Sequence, residues 1–359
     1  MPAIHQLVAG YRQGDAISGE ARALQTVFRS WGCQSEILCD PRRAAAQVRH
    51  ETRDPANACR ALAPADVAIL HLSIGTPLNA LFRALPCRRV ILYHNVTPAE
   101  YFRLYNPATC ADLAEGRRQM AALAGAAHVN LADSSFNAAE LEACGYRDVR
   151  VLPLLIDLLG FEPHRRDAAV ERRVTAGARN VLFVGRCAPN KRIEDLLATT
   201  YLLQRHIEPR ARLVHAGSFA GVEAYHTLLL AQARELGLRE TLFLGPVTQD
   251  GLNSCYRAAD LFLCLSAHEG FCAPLLEAML YDVPVVALDA GAVAETLDGA
   301  GVLVRDRRLP LIAETCGAVL ADPALRAAIV ARQRCRVAAY RGRNVSDELR
   351  RLLAPVLGP

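Results

Sequence analysis

The sequence predicts an α/β protein built from two doubly wound domains with parallel sheets. Three observations support this prediction. Short apolar or β-branched runs alternate with longer segments of helical period, this alternation occurs twice along the chain, and a charged stretch separates the two series. With 359 residues, the chain is long enough for two hydrophobic cores of ordinary size.

The first series extends over roughly the first 150 residues. Its segments of helical period predict helices at 19–32, at about 111–125 and from Asn137 onwards. The first of these ends at Gly32, a residue that favours helix C-termini. Its short apolar runs predict strands at 4–10, 35–40, 67–73, 88–95, 128–133 and 149–154.

The stretch from Phe161 to Asn180 is charged and has no clear apolar period, so we place the domain boundary within it. We predict a first domain at residues 1–165 and a second at residues 166–340. A C-terminal helix in residues 341–359 is expected to pack back on the first domain.

The second series repeats the alternation after residue 180. Ligands of open parallel sheets bind beyond the carboxyl ends of the strands, and two such domains imply a cleft between them, so we expect the chemistry there. The predicted strands are 180–186, 211–217, 241–245, 260–266, 284–289 and 301–304, and the predicted helices are about 192–206, 221–236, 249–257 and 346–357.

Composition excludes several classes of protein. Hydrophobic residues make up 52% and charged residues 22%, which is typical of a globular protein and not of a disordered one. A net charge of +4 is too small to indicate a nucleic-acid partner. The sequence also lacks a signal-type start and any apolar run of about 18 residues, which predicts a cytoplasmic protein. The Arg117-Arg118 and Arg172-Arg173 doublets leave a peripheral contact at the inner membrane face open.

Twelve cysteines are present, but no C-x-x-C pair and no clustered histidine spacing of the zinc type occurs. The sequence therefore predicts no metal site. Several cysteines, such as Cys264, lie in apolar runs, which is typical of reduced thiols in a reducing compartment.

The segment HEGFCAPLLEAM holds Glu269 and Glu277 after a predicted strand. Pro274 favours the first position of a helix, which would place Glu277 in its first turn. Two structural interpretations remain open: Ser266 to Glu269 fits a capping box, and Glu277 could simply complement the helix dipole. In the functional interpretation, Gly270 and Phe271 offer backbone N–H groups to hydroxyls or an anion. The two carboxylate oxygens of Glu277 accept two hydroxyls of a ribose.

HEGFCAPLLEAM resembles the signature of the family 4 retaining glycosyltransferases of the GT-B type, and VGRCAPNKR resembles the family's phosphate-binding segment. The resemblance implies two Rossmann-like domains that face each other across a cleft, the first binding the acceptor and the second the nucleotide-sugar donor. It places Glu269 on the sugar, Glu277 on the ribose, and Arg186 and Lys191 on the diphosphate. Many family members have Lys-Gly where this chain has Lys191-Arg192, and the lysine keeps its place.

The first half carries weaker matches. GDAISGEA resembles a family loop whose glycines approach the donor, and YHNVTPAEYF places His94 where a family histidine contacts the transferred sugar. In the second half of the chain, the segment FLGPVTQ places Val247 where the family's chain lies along the nucleotide base. The resemblance thus implies the catalytic residues Glu269, His94, Arg186 and Lys191. It implies the donor-binding residues Gly14, Asp15, Gly185, Arg186, Lys191, Val247, Glu269, Gly270, Phe271, Cys272 and Glu277.

The resulting expectation is a retaining hexosyltransferase that uses a GDP- or UDP-sugar donor and a saccharide or lipid-linked acceptor in cell-surface polysaccharide or glycan biosynthesis. No D-x-D occurs, so we expect no cofactor and no required metal. A dehydrogenase is disfavoured because no G-x-G-x-x-G follows the first strand. Two alternatives stay open: a nucleotide-sugar epimerase of GT-B fold and a non-catalytic sugar-nucleotide-binding protein.

Overall fold

The structure is a computed structural model that describes residues 2–156, 161, 164–175 and 177–358. The chain divides into two compact units. The first contains Met1–Glu100, Pro107–Asp157 and Arg343–Pro359, and the second contains Tyr101–Asn106 and Leu158–Gly342. The C-terminal segment therefore belongs to the same unit as the N-terminal strands.

The strands of the described residues form two sheets, and every pairing within them is parallel. The strands are β1 (Ile4–Val8), β2 (Ile37–Leu38), β3 (Thr52–Arg53), β4 (Val67–Leu72), β5 (Arg88–Tyr93), β6 (Val129–Ala132), β7 (Val149–Val151), β8 (Arg179–Val184), β9 (Ala211–Ala216), β10 (Thr241–Gly245), β11 (Leu261–Cys264), β12 (Val285–Leu288) and β13 (Val302–Val304).

Both sheets have an open, doubly wound strand order. In the first unit it is β3-β2-β1-β4-β5-β6-β7, and in the second it is β10-β9-β8-β11-β12-β13. Strands β4 and β9, each of which has a neighbour on both sides, are buried along their whole length, as expected for parallel strands covered on both faces. The predicted fold class, an α/β protein of two Rossmann-like parallel-sheet domains, is confirmed.

Helices connect the parallel strands. The α-helices are α1 (Ala16–Ser30), α2 (Pro55–Ala58), α3 (Pro77–Arg83), α4 (Pro107–Ala122), α5 (Ser135–Ala143), α6 (Ala168–Val174), α7 (Ile193–His206), α8 (Glu223–Glu235), α9 (Gln249–Arg257), α10 (Ala273–Leu280), α11 (Val293–Leu297), α12 (Leu309–Ala321), α13 (Pro323–Arg341) and α14 (Val345–Leu357). Short 3-10 turns lie at Arg49–Glu51, Cys59–Ala61, Ala99–Phe102 and Pro189–Lys191. Within the part of the chain that the structure describes, each helix is too short or too polar to cross a lipid bilayer.

Helix α14 contributes to the core of the first unit. Leu349, Leu353 and Val356 are at most 1% exposed and pack in one apolar cluster with side chains of β1, β4, β5, β6 and α1. Two polar contacts fix the helix at its ends: Trp31 Nε1 donates to Ser346 Oγ at 2.8 Å, and an Arg88 guanidinium donates to the Val356 carbonyl at 3.0 Å.

The structure adds elements that the sequence patterns do not predict. Helix α3 follows the N-cap Thr76, whose hydroxyl accepts from Leu78 N, but it is too short to show an apolar period. Helix α6 lies in the stretch that we interpreted as a boundary without period, where Asp167 caps it and Val174 is its buried residue. Residues 162, 163 and 176 of that stretch lie outside the described residues. Strand β3 contains only two residues and has no pattern to recognise.

Candidate functional site

In the second unit, Lys191 and Glu269 meet at the carboxyl ends of two neighbouring strands. Lys191 ends the 3-10 turn after β8, and Glu269 lies between β11 and α10. Nζ of Lys191 donates to Oε2 of Glu269 at 2.6 Å, and Glu269 is only 6% exposed. Burial opposes the charged form of Lys191, but the Glu269 carboxylate outweighs it and raises the lysine pKa. The fold thus holds two predicted site residues together as an ion pair.

The backbone around Glu269 is fixed by the loop that follows β12. Ala292 N donates to the Glu269 carbonyl at 3.0 Å. Gly291 has a φ of +58°, and a Cβ at this position would come within 2.2 Å of the same carbonyl oxygen. On the other side, Asn190 Nδ2 donates to the His268 carbonyl at 3.3 Å. Only a glycine at position 291 therefore lets the loop approach Glu269 so closely.

Glu277 is anchored by a tyrosine. The Tyr256 hydroxyl donates to Oε2 of Glu277 at 2.6 Å, and burial raises the pKa of this carboxyl group to about 7. The prediction that Glu277 lies in the first turn of its helix is wrong. Helix α10 begins at Ala273, with Pro274 as its second residue, so Glu277 lies beyond the first turn and does not cap the helix.

The other predicted residues of the second unit line the same strand ends. Arg186 is exposed just after β8, and Val247 is partly buried just after β10. The peptide of Gly185 is approached so closely by Gly217 that a Cβ on Gly217 would lie 1.8 Å from the Gly185 carbonyl oxygen. Gly270 is partly buried, while Phe271 and Cys272 are 7% and 8% exposed.

In the first unit, His94 follows β5 and lies in a buried cluster of polar side chains. Its Nε2 is 2.8 Å from Nδ1 of His71 and 3.4 Å from Oε2 of Glu20, and its Nδ1 is 3.4 Å from Oδ2 of Asp133. The side chains of His94, Glu20 and Asp133 are at most 3% exposed. Sequence analysis predicts only His94 of this group. The one available signal was His71, a polar residue near the end of the apolar run VAILHLS.

The hydrogen bonds of this cluster define where its protons are. Gln6 Nε2 donates to the Ala21 carbonyl at 2.9 Å, so Gln6 Oε1 is left to accept from His71 Nε2 at 3.0 Å. Nδ1 of His71 must then accept, and His94 Nε2 must donate. Burial, and then His94, lower the pKa of His71 well below its usual range. Burial also opposes the charge on His94, but Glu20 and Asp133 outweigh it and raise its pKa. We infer a neutral His71 and a cationic His94.

Glu20, His71 and His94 also form one of two groups of potential metal ligands in the described residues. Two imidazole nitrogens on one tetrahedral zinc, at about 2.0–2.1 Å each, stand roughly 3.3 Å apart and point at a common centre. Here the nitrogens are 2.8 Å apart, the rings are within 6° of parallel, and their centroids are 5.0 Å apart. This centroid distance is the N···N distance plus two ring radii, so the nitrogens point at each other. The geometry fits a hydrogen bond and not a metal.

The predicted residues Gly14 and Asp15 precede α1. Gly14 has a φ of +74° and is exposed. Asp15 is the N-cap of α1: its Oδ2 accepts from Ser18 N at 3.0 Å and from Ser18 Oγ at 2.7 Å. The structure therefore gives Asp15 a local role in starting the helix that carries Glu20.

Comparisons with known proteins bear on the second unit most directly. Residues 178–322 match the family model described as glycosyl transferases group 1. This part of the chain is similar to the group 1 glycosyl transferases. The matched residues include Gly185, Arg186, Lys191, Glu269 and the other predicted donor-binding residues of the second unit.

Two curated relatives match the chain over part of its length. A D-inositol 3-phosphate glycosyltransferase of Nocardia farcinica is 33% identical over 213 residues, which are 58% of this chain and 47% of the relative. A GDP-mannose-dependent alpha-mannosyltransferase of Mycolicibacterium smegmatis is 32% identical over 182 residues, which are 50% of this chain and 42% of that protein. The chain thus spans about half the length of the curated relatives that it matches.

A likeness of fold extends over both units. The crystal structure of Anabaena HepE in complex with UDP-glucose superposes with a TM-score of 0.76 and 17% identity, and the match covers 99% of this chain and 100% of that one. At this identity the comparison shows the fold alone. The GT-B type of fold expected from the sequence, with two Rossmann-like domains, is confirmed.

Proposed function

We propose that this protein is a retaining hexosyltransferase. It moves a hexose from a GDP- or UDP-sugar to a saccharide or lipid-linked acceptor, in the synthesis of a cell-surface polysaccharide or glycan. Transfer needs no metal ion, and the protein works in the cytoplasm, with its acceptor drawn either from solution or from the inner membrane face.

The observation that carries the proposal is the buried contact between Lys191 and Glu269 at 2.6 Å. Burying a carboxylate and a lysine costs desolvation free energy. A purely structural contact at this position could avoid that cost with apolar side chains, so the buried pair favours a role in binding. The pair lies at the carboxyl ends of adjacent parallel strands, where ligands of doubly wound sheets bind. A sugar with several hydroxyl groups offers donors to Glu269, and a phosphate offers anionic oxygens to Lys191.

The chemistry follows from the charge that develops on the donor. As the bond to the diphosphate breaks, negative charge grows on the leaving oxygens, and a positioned cation stabilises it. Lys191 supplies a point charge and Arg186 a planar fork of donors. Glu269 positions the sugar hydroxyls, and its carboxylate favours the positive charge that develops at the anomeric carbon. Attack by the acceptor on the leaving group's own face gives retention, with a phosphate oxygen as the base. In the first unit, His94 contacts the transferred sugar.

The named relatives support the class of donor. One is called a GDP-mannose-dependent mannosyltransferase, and HepE was crystallised with UDP-glucose. Because the chain spans about half the length of the curated relatives, the activity of the whole protein is part of the proposal.

A thermal-shift panel of UDP-, GDP- and ADP-sugars tests the donor. A nucleotide sugar that binds the native state at 100 times its Kd stabilises the protein by about 2.7 kcal/mol and raises Tm by several degrees. The stabilising sugar is then incubated with candidate acceptors, and the product anomer is determined by NMR. Retained configuration supports the proposal, and inverted configuration contradicts it.

The same experiment separates the alternatives. Conversion of the donor to a second nucleotide sugar without an acceptor would identify an epimerase. Stabilisation by a nucleotide sugar, with neither transfer nor conversion over the acceptor panel, would identify a binding protein. Absence of stabilisation by every sugar nucleotide would contradict the donor class.

A further inference from the structure

Two cysteines lie beside Glu269. Cys264 is the last residue of β11, and Cys272 immediately precedes α10. Their sulfur atoms are 3.9 Å apart, and both lie within 4.8 Å of a carboxylate oxygen of Glu269. The three residues are 0%, 8% and 6% exposed, respectively. Their spacing, C-x7-C, is not a recognised zinc spacing, which is why the sequence patterns predict no metal site here.

The dimensions of this cluster fit a tetrahedral ion. Two thiolates bound to zinc at about 2.3 Å stand roughly 3.8 Å apart, and a thiolate and a carboxylate oxygen stand roughly 3.5 Å apart. The sulfur pair already has this separation, and the carboxylate needs to move by at most about 1.3 Å. The histidine cluster of the first unit lacks this fit, because its nitrogens are too close and point at each other.

The surroundings favour a thiolate on Cys264, whose pKa is lowered first by the hydrogen bond with Cys272. The Sγ atom of Cys264 lies 3.4 Å from the Ser266 hydroxyl, which can donate to a sulfur anion. Lys191, whose Nζ is 2.6 Å from Glu269, also interacts with both sulfurs and offsets their negative charge. A donor set of two sulfurs and one carboxylate binds zinc in preference to magnesium or calcium.

We propose that Cys264, Cys272 and Glu269 bind a zinc ion. The ion replaces one proton on each thiol, so that two protons are released for each zinc bound and binding strengthens as pH rises. The three protein ligands leave the fourth position to water. Zinc also draws the carboxylate away from Lys191. If the protein has the proposed function, zinc is therefore an inhibitor that competes with the sugar donor for Glu269.

Cobalt and zinc titrations of the full chain test the proposal. The protein is kept reduced with a phosphine and titrated with Co²⁺, whose thiolate complexes show a charge-transfer band. One equivalent is expected to give this band, and zinc is expected to abolish it. Calorimetry in two buffers of different ionisation enthalpy is expected to show the release of two protons. Absence of a charge-transfer band overturns the proposal.

One proposed zinc ligand can be replaced by a residue that is expected to leave the fold intact. Cys272 has a φ of 69°, a left-handed conformation that favours glycine, so Cys272→Gly removes the sulfur and relieves strain. We expect it to fold and to bind zinc at least tenfold more weakly. Cys264→Ala is expected to do the same. Cys255→Ala, which removes a buried thiol outside the cluster, is the matched control and should keep full affinity. Unchanged affinity in Cys272→Gly would refute the site.

Inhibition is measured separately. The thermal shift given by the stabilising nucleotide sugar is expected to shrink as zinc is added to the wild type, and to be insensitive to zinc in Cys264→Ala, which removes a zinc ligand that is not among the predicted donor-binding residues. If no nucleotide sugar binds, the proposed function fails while the zinc titration still decides the site. If zinc binds and the donor shift is unchanged, zinc occupies the cluster without competing with the donor, and zinc is not an inhibitor.

Discussion

Nδ1 of His71 and Nε2 of His94 point at each other over 2.8 Å, and the two rings are within 6° of parallel. One proton lies between them, and the amide of Gln6 determines which ring owns it. Because Gln6 receives the proton of His71 Nε2, the proton between the rings belongs to His94. An uncharged amide thus assigns this proton to His94, while Glu20 and Asp133 favour the positive charge of the same ring.

Replacing Gln6 tests this order of protons. Gln6→Leu leaves His71 Nε2–H without an acceptor, so we expect His71 to move its proton to Nδ1 and His94 to lose the proton on Nε2. Long-range ¹H–¹⁵N spectra of protein labelled in histidine report the protonation of each ring nitrogen. Gln6→Glu keeps an acceptor beside His71 Nε2 and should therefore keep this nitrogen protonated. A protonated Nδ1 on His71 in the wild type would contradict the assignment.

The Lys191–Glu269 pair is expected to be essential for transfer and dispensable for folding. Lys191→Ala and Glu269→Ala should each abolish transfer, and each should cost roughly 1–3 kcal/mol, because one member of a buried pair is left without its partner. Transfer assays and urea unfolding measure the two effects. The exposed pair of Arg334 and Asp282, also 2.6 Å apart, gives the control: Arg334→Ala should change stability by less than about 1 kcal/mol and leave transfer intact. Full activity in either site variant would refute the site assignment.

Gly291 and Gly299 separate backbone strain from contact with Glu269. Both have positive φ, +58° and +74°, so alanine costs about 1–2 kcal/mol at either position. A Cβ at Gly299 meets no atom within 4 Å, whereas one at Gly291 meets the Glu269 carbonyl at 2.2 Å. We expect Gly291→Ala to lose more stability than Gly299→Ala and also to weaken donor binding. Equal effects in urea unfolding and thermal shift would show that the contact does not position Glu269.

Glu277 should make stability fall as pH rises. Burial raises its pKa from 4.5 to about 7, so the folded protein holds a proton that the unfolded chain releases between these values. Glu277→Gln keeps an acceptor for Tyr256 and removes the ionisation. We expect the unfolding free energy of Glu277→Gln, measured relative to that of the wild type, to rise by roughly 2 kcal/mol from pH 5.5 to pH 8. The exposed Glu235→Gln is the control. If the difference in unfolding free energy between Glu277→Gln and the wild type is the same at both pH values, Glu277 does not titrate as described.

The sequence patterns predict the repeated strands and the local motifs, because hydrophobic period and strand-end position are properties of short segments. Glu269 and Lys191 are predicted as site residues because each lies in its own motif, but their mutual contact joins segments 78 positions apart. His71, Glu20 and Asp133 are not predicted around His94 for the same reason: each belongs to a different element, and only the strand order of the sheet brings them together. Cys264 and Cys272 lie only eight positions apart, but their sulfur separation depends on the left-handed conformation of Cys272, which local pattern does not indicate.

The position of α14 sets an order for folding during synthesis. Leu349, Leu353 and Val356 complete the core around β1 and β4, yet they leave the ribosome after every strand of both sheets. The second unit, which ends at Gly342, can fold while the first still exposes the apolar surface that α14 will cover. The first strands of the first unit are therefore among the last parts of that unit to be sealed, and a chaperone that shields them would act while the whole second unit is synthesised.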